Sequence, residues 1–188
     1  EIYTLRNTLS LHDALPISVD PSAFVLDMGQ NLAGFPEITV RGKKGQKITL
    51  LVSESLTDEG ACNQRQTGRQ HYYEYTLKGE GVETWHPRFS YYGFRYIQVE
   101  GAVLKGQKNP FRLPVIQKIQ SCFVYNSAPK ISTFECSNRI FNDAHRLIEK
   151  AVRSNMQSVF TDCPHREKLG WLEQDHLCGP GLLYNYDL

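Results

Sequence analysis

No stretch of this 188-residue chain approaches the ~18 consecutive apolar residues that a bilayer-spanning helix requires, so no helix of the sequence is long and apolar enough to cross a membrane. Charge imbalance is missing too. Lysine and arginine total 21 against 20 acidic residues, a net charge of +1, and nothing in that balance points to a nucleic acid or other polyanion. Cysteine is sparse: Cys62, Cys122, Cys136, Cys163 and Cys178 form no disulfide framework, and an odd count leaves at least one unpaired. Metal-ligand spacing is equally poor. Cys163-x-His165 and His176-x-Cys178 have the ligand types of a structural zinc site, yet each pair is split by a single residue where such sites use about two to four, so no metal is expected.

What remains is an ordinary globular composition, 40% hydrophobic and 22% charged. One segment stands apart. Thr8 to Ile17, T-L-S-L-H-D-A-L-P-I, reads as one translation frame of a common sequencing adapter, and residues 1–17 are set aside from fold reasoning as non-native. About 170 residues are left, enough for one ordinary domain, but the pattern changes partway and implies parts of two.

Residues 18–127 read as strands. Ile48, Leu50 and Val52 alternate with Thr49, Leu51 and Ser53, and the turn cluster Gly42-Lys43-Lys44-Gly45 is expected to join them to Glu37–Val40 as a hairpin. Further runs at 72–77, 94–99 and 115–124, separated by Gly and Pro signals, imply an antiparallel β-sandwich. The aromatics Trp85, Phe89, Tyr91, Tyr92, Phe94 and Tyr96 could stack on sugars, but period-2 aromatics are more often inner-face core and cross-strand pairs.

Near Phe134 the period becomes helical. Ile140, Phe141, Ala144, Leu147, Ile148, Ala151, Val152, Met156 and Val159 make one apolar stripe, with Ser137 or Asn138 as the N-cap and Pro164 beyond the end. A helix from about Asn138 to Phe160 is expected, then a shorter one around Leu172 to Leu183.

Between the two helices lies Asp162-Cys163-Pro164-His165-Arg166-Glu167-Lys168-Leu169-Gly170-Trp171, which packs carboxylates, a guanidinium and an indole into ten residues. This mixture suits a sugar. Asp and Arg can fix hydroxyls, Trp can cover the apolar ring face, and a protonated Glu can donate to a glycosidic oxygen.

The segment Thr161 to Gln174, T-D-C-P-H-R-E-K-L-G-W-L-E-Q, closely resembles the active-site signature of bacterial α-L-rhamnosidases, inverting glycoside hydrolases. Upstream, Asp27-Met28-Gly29-Gln30-Asn31-Leu32-Ala33-Gly34 and Trp85 to Tyr96 look like the β-sandwich preceding the catalytic barrel in that family. The matches keep the family's order from Val19 to Leu188.

The resemblance implies a jelly-roll-like antiparallel β-sandwich, then, over residues 128–188, the first helices of an (α/α)6 barrel, the chain being a fragment at both ends. It implies Glu167 as general acid, Asp162 and Arg166 as holders of sugar hydroxyls, and Trp171 against the rhamnose ring. The alternatives from the residues alone are a surface Glu167, an Asp162–Arg166 salt bridge bracing the turn, and a core indole at Trp171. Gly170 is expected to serve close backbone approach or an unusual dihedral. Many relatives carry Asp where this chain has Gln174, so either Gln174 or the next residue, Asp175, could reach a hydroxyl; Glu173 inherits no role.

No residue matches the family's general base, so the segment holds half a catalytic pair. No cofactor is expected, and the implied partner is a rhamnose-containing oligosaccharide or glycoside. A rival reading is a non-catalytic carbohydrate-binding sandwich module, which the 162–171 segment argues against. Aglycone, export and oligomeric state are not written in these residues.

Overall fold

The computed structural model describes residues 2–5, 17–20 and 23–188, with side chains from residue 23 onward. Residues 8–16 of the adapter-like stretch lie outside the described residues. The elements run β1 (Ile2–Leu5), β2 (Ile17–Asp20), β3 (Ala23–Arg41), β4 (Lys47–Ser53), β5 (Tyr72–Thr76), β6 (Val82–Trp85), β7 (Tyr92–Glu100), β8 (Val103–Leu104), β9 (Val115–Asn126), α1 (Arg139–Asn155) and α2 (Leu172–Leu183). A mostly antiparallel, sandwich-like sheet region is thus followed by two helices.

The sheet order is β1-β9-β3-β7-β4-β5, with β2 and β6 also on β3 and the short β8 parallel to β9. The spine is β3. Its first half, Ala23 to Gly34, pairs with β7, and its second half, Gly34 to Arg41, pairs with β9. Period-2 alternation points one face of each strand inward: Leu26, Ile38, Val40, Ile48, Leu50, Val52, Ile97, Val99 and Ile116 are fully buried. Each such side chain contributes about 1.5–3 kcal/mol relative to exposure.

Two positions show why particular residues are needed. At Gly34, where β3 changes partners, a Cβ would run into the backbone carbonyl of Cys122, so only glycine lets β9 close on the spine. Between Asp27 and Leu32 the β3–β7 register shifts, and Gly29 takes φ +76 there while its amide donates to the Asp27 carboxylate at 2.8 Å. Glycine enters that left-handed region without steric cost.

The expected hairpin does not form. Residues 38–41 of β3 already have β6 on one edge and β9 on the other, so no edge is left for β4, which crosses over to pair with β7 and β5. The turn cluster is real but serves as a crossover, tied down where the Gly45 amide donates to the Leu77 carbonyl at 2.9 Å.

The expected aromatic core does form. Phe94 is fully buried, Trp85, Tyr91 and Tyr92 pack against the core, and Tyr75 stacks on Trp85 with centroids 4.9 Å apart. Phe89 departs from the pattern: it is fully exposed, with φ +56.

Helix α1 starts where expected, with the Asn138 side chain accepting from the Ile140 amide at 2.9 Å. It stops earlier than the periodicity indicates. Met156 leaves helical dihedrals (φ −88, ψ 87) and turns into the sandwich, 2% exposed, its carbonyl accepting from the Asn126 amide at 2.7 Å. Gln157 follows, its side-chain amide donating to the Val124 carbonyl at 3.0 Å. Docking on β9 outweighs one further helical turn. The stripe residues Ile140, Phe141, Leu147 and Ile148 stay exposed. No helix of the described residues is long and apolar enough to cross a membrane.

Candidate active site

The loop at residues 162–170, between the docked end of α1 and the start of α2, is closed by its first residue. The Asp162 amide donates to the Leu169 carbonyl at 3.0 Å, and Asp162 Oδ1 accepts from the amides of Cys163 at 2.8 Å and Leu169 at 2.9 Å. At Gly170 a Cβ would lie 2.8 Å from the Val159 side-chain methyl Cγ2, so a larger residue there would have to push Val159 aside.

Inside this ring the Glu167 amide donates to Cys163 Sγ at 3.3 Å, placing the Glu167 side chain over the same side as Asp162. The carboxylates of Asp162 and Glu167 and the Cys163 thiol all lie within 4.8 Å of one another. Arg166 Nη2 donates to Glu167 Oε1 at 2.8 Å, and Trp171 Nε1 approaches Asp162 Oδ2 at 3.4 Å. The four residues singled out in the sequence are therefore brought together.

Burial works against ionising Asp162, but hydrogen bonds outweigh it. With the Glu167 carboxyl first, then the Leu169 and Cys163 amides and the Trp171 indole, they hold the Asp162 carboxyl down at about 2. The Glu167 side chain keeps 41% of its surface open and Arg166 keeps 56%. One carboxyl is thus locked and ionised, and its neighbour faces solvent.

The bracing salt bridge between Asp162 and Arg166 is absent among the described residues: Arg166 pairs with Glu167, and backbone amides brace the turn instead. The Trp171 ring is half exposed at the mouth of the loop, not packed as a core indole. Gln174 is partly buried with an unpartnered side-chain oxygen, while Asp175 lines a separate cavity with Met156, Leu182 and Leu188. Cys163, His165, His176 and Cys178 are not gathered into one ligand cluster among the described residues.

Sequence reasoning missed how the loop is seated. Asn31 Nδ2 donates to Glu54 Oε1 at 2.8 Å, and Glu54 Oε2 lies 3.2 Å from His165 Nδ1. Lys168 Nζ donates to the Tyr91 carbonyl at 2.6 Å and sits 4.6 Å and 4.4 Å from the ring centroids of Tyr91 and Tyr92. Next to them a Cβ on Gly93 would lie 2.8 Å from Pro164 Cγ and 3.0 Å from His165 Cβ. A cavity of about 470 Å³ lies beside this seat, bounded by Asn31, Glu54, Arg95 and Pro164 from below and Leu147 of α1 above. The readable signal was that Asn31, Tyr91, Tyr92 and Gly93 all lie within the two upstream motifs that accompany the 162–171 segment.

Comparison with known proteins covers nearly all of residues 17–188. Residues 17–125 match the bacterial alpha-L-rhamnosidase concanavalin-like domain, and residues 129–188 match the bacterial alpha-L-rhamnosidase 6 hairpin glycosidase domain. Curated relatives include an alpha-L-rhamnosidase of Formosa agariphila, 34% identical over 88% of this chain and 17% of that protein. Another, from Streptomyces avermitilis, is 34% identical over 89% of this chain and 16% of its own length.

Among solved structures, the alpha-L-rhamnosidase from Dictyoglumus thermophilum superposes with TM-score 0.79 at 31% identity, covering 92% of this chain and 19% of that one. The Streptomyces avermitilis enzyme, solved in complex with L-rhamnose, gives TM-score 0.77 at 31% identity over 96% of this chain and 16% of its own. The chain thus spans about a sixth of the length of the curated relatives it matches.

Proposed function

The chain belongs to the bacterial α-L-rhamnosidase family, and from that membership and the loop geometry we propose that it carries the acid half of the catalytic site of an enzyme that removes terminal α-L-rhamnose with inversion. Residues 18–127 form its sandwich domain, and 128–188 supply the opening helices of an (α/α)6 barrel. Glu167 is the general acid. Asp162 and Arg166 hold the sugar's hydroxyls, and Trp171 lies against the ring.

The observation that carries this reading is that one short loop gathers Asp162, Arg166, Glu167 and Trp171. Asp162, held at about 2 by its hydrogen bonds, accepts from the sugar, and the solvent-facing Glu167 beside it, at the family's acid position, donates the proton. In an inverting mechanism that proton goes to the glycosidic oxygen as its bond to the anomeric carbon breaks. A water attacks the opposite face, losing its proton to a second carboxylate about 6.5–9.5 Å away. The Asp162–Glu167 separation is too short to admit that water, so Asp162 is not the base. The base comes from a part of the barrel outside these 188 residues, in line with relatives some six times longer.

The test is Glu167→Gln in the full-length enzyme. The amide keeps the shape but cannot donate a proton, so hydrolysis of an alkyl rhamnoside should fall on the order of 10²- to 10⁴-fold, while a nitrophenyl rhamnoside, whose leaving group needs little protonation, loses far less. Equal losses on both would overturn the assignment.

A further inference from the structure

We propose that Lys168 is a positioning residue for Glu167, and that the sandwich strand β7 is the surface against which it sets the acid. This rests on Glu167 being the general acid. Lys168 follows Glu167 directly and takes φ +57, a left-handed conformation that a lysine adopts only when its surroundings hold it there. Its side chain points back to the sandwich. There the amine donates to the Tyr91 carbonyl at 2.6 Å and lies over the faces of Tyr91 and Tyr92.

Burial, then the nearby Arg69 charge, lowers the affinity of that amine for its proton, so the contact is partly desolvated and correspondingly firm. A surface lysine would have no reason to accept either cost.

The same strand touches the loop a second time. Gly93, next to Tyr92, meets Pro164 and His165 so closely that a methyl there would have to displace them. The acid is thereby bracketed: Pro164 and His165 before it and Lys168 after it both rest on residues 91–93. Displacing a proton donor by about 1 Å costs on the order of 10²-fold in rate, so a seat of this kind governs the chemical step without touching the sugar.

The experiment compares Lys168→Met, Lys168→Arg and Gly93→Ala in the full-length enzyme, with Glu167→Gln as reference, on an alkyl and a nitrophenyl rhamnoside. Gly93 has an ordinary φ, so alanine there presses on the loop without straining its own backbone. Lys168→Met and Gly93→Ala should lower kcat on the alkyl rhamnoside about ten- to a hundredfold, with a much smaller loss on the nitrophenyl substrate and little change in KM. Lys168→Arg, which can still donate and stack, should recover most of the rate.

Losses independent of the leaving group, or a lowered melting temperature with kcat per folded enzyme intact, would overturn the proposal. If Lys168→Met fails to fold, Gly93→Ala decides alone. A selective loss in Glu167→Gln with unchanged kinetics in Lys168→Met and Gly93→Ala would overturn the positioning role only; a non-selective loss in Glu167→Gln would remove the acid assignment itself.

Discussion

Arg95 grips Asp27 with two parallel hydrogen bonds, Nε to Oδ1 at 2.8 Å and Nη2 to Oδ2 at 2.7 Å. The two residues come from the two upstream motifs, Asp27 from the bulged stretch of β3 and Arg95 from β7. The pair locks the bulge that presents Asn31 to Glu54, and Glu54 in turn meets His165 of the 162–170 loop.

Asp27→Asn should lower stability at pH 7 by about 1 kcal/mol, a modest figure because both side chains remain partly exposed. The hydrogen bonds from Arg95 hold the Asp27 carboxyl below its ordinary 3.8, so its contribution is present above that value and is lost as pH falls through the lower folded one. Chemical denaturation of wild type and variant should therefore differ at pH 7 and converge as pH falls below the ordinary 3.8 and through the lower folded value.

His71 titrates in a separate window. It is fully buried, stacked on Tyr92 with centroids 4.1 Å apart, and both ring nitrogens lack partners. Burial, then the charges of Lys168, Arg69 and His165, push it down to about 4 from 6.5. The unfolded state binds the proton first, so stability is full above about pH 6.5 and declines as pH falls toward 4. His71→Phe, which keeps the ring stack, should flatten the melting temperature across that interval. An unchanged slope would show that other groups carry it.

Gly34→Ala should destabilise the sandwich by about 3 kcal/mol, since the obstruction is the backbone carbonyl of Cys122 on a central strand and not a side chain that can swing aside. Gly45→Ala, where no atom lies near the added methyl but φ is +83, should cost only about 1 kcal/mol. Thermal unfolding of both variants measures the difference.

Arg166→Lys should weaken binding of free rhamnose to the full-length enzyme by about 1.5–3 kcal/mol in calorimetry, because a lysine cannot reproduce a forked, planar contact. Unchanged affinity would confine Arg166 to its observed pairing with Glu167.

The strands at 72–76, 92–100 and 115–126, the start of α1 and the extent of α2 were legible because period and capping are local signals. The spine was not. β3 runs unbroken from Ala23 to Arg41 through Gly29, Gly34 and Pro36, since its glycines serve a bulge and a close strand contact that only the assembled sheet creates. The pairing of β4 was misread for the same reason: which edges are occupied is a property of distant strands. In the site, the residue types and their chemistry could be read from the segment itself, but not that Arg166 would turn to Glu167, nor that Lys168 would turn its back on the loop.

The return of Met156 to Asn126 has a consequence for biogenesis. The carbonyl of one and the amide of the other, 2.7 Å apart, close a segment of some thirty residues that contains all of α1. On the ribosome the sandwich strands emerge first. The first helix can therefore be recruited onto a finished surface as soon as Met156 and Gln157 clear the exit tunnel. Its apolar stripe is then already turned outward, away from the sandwich.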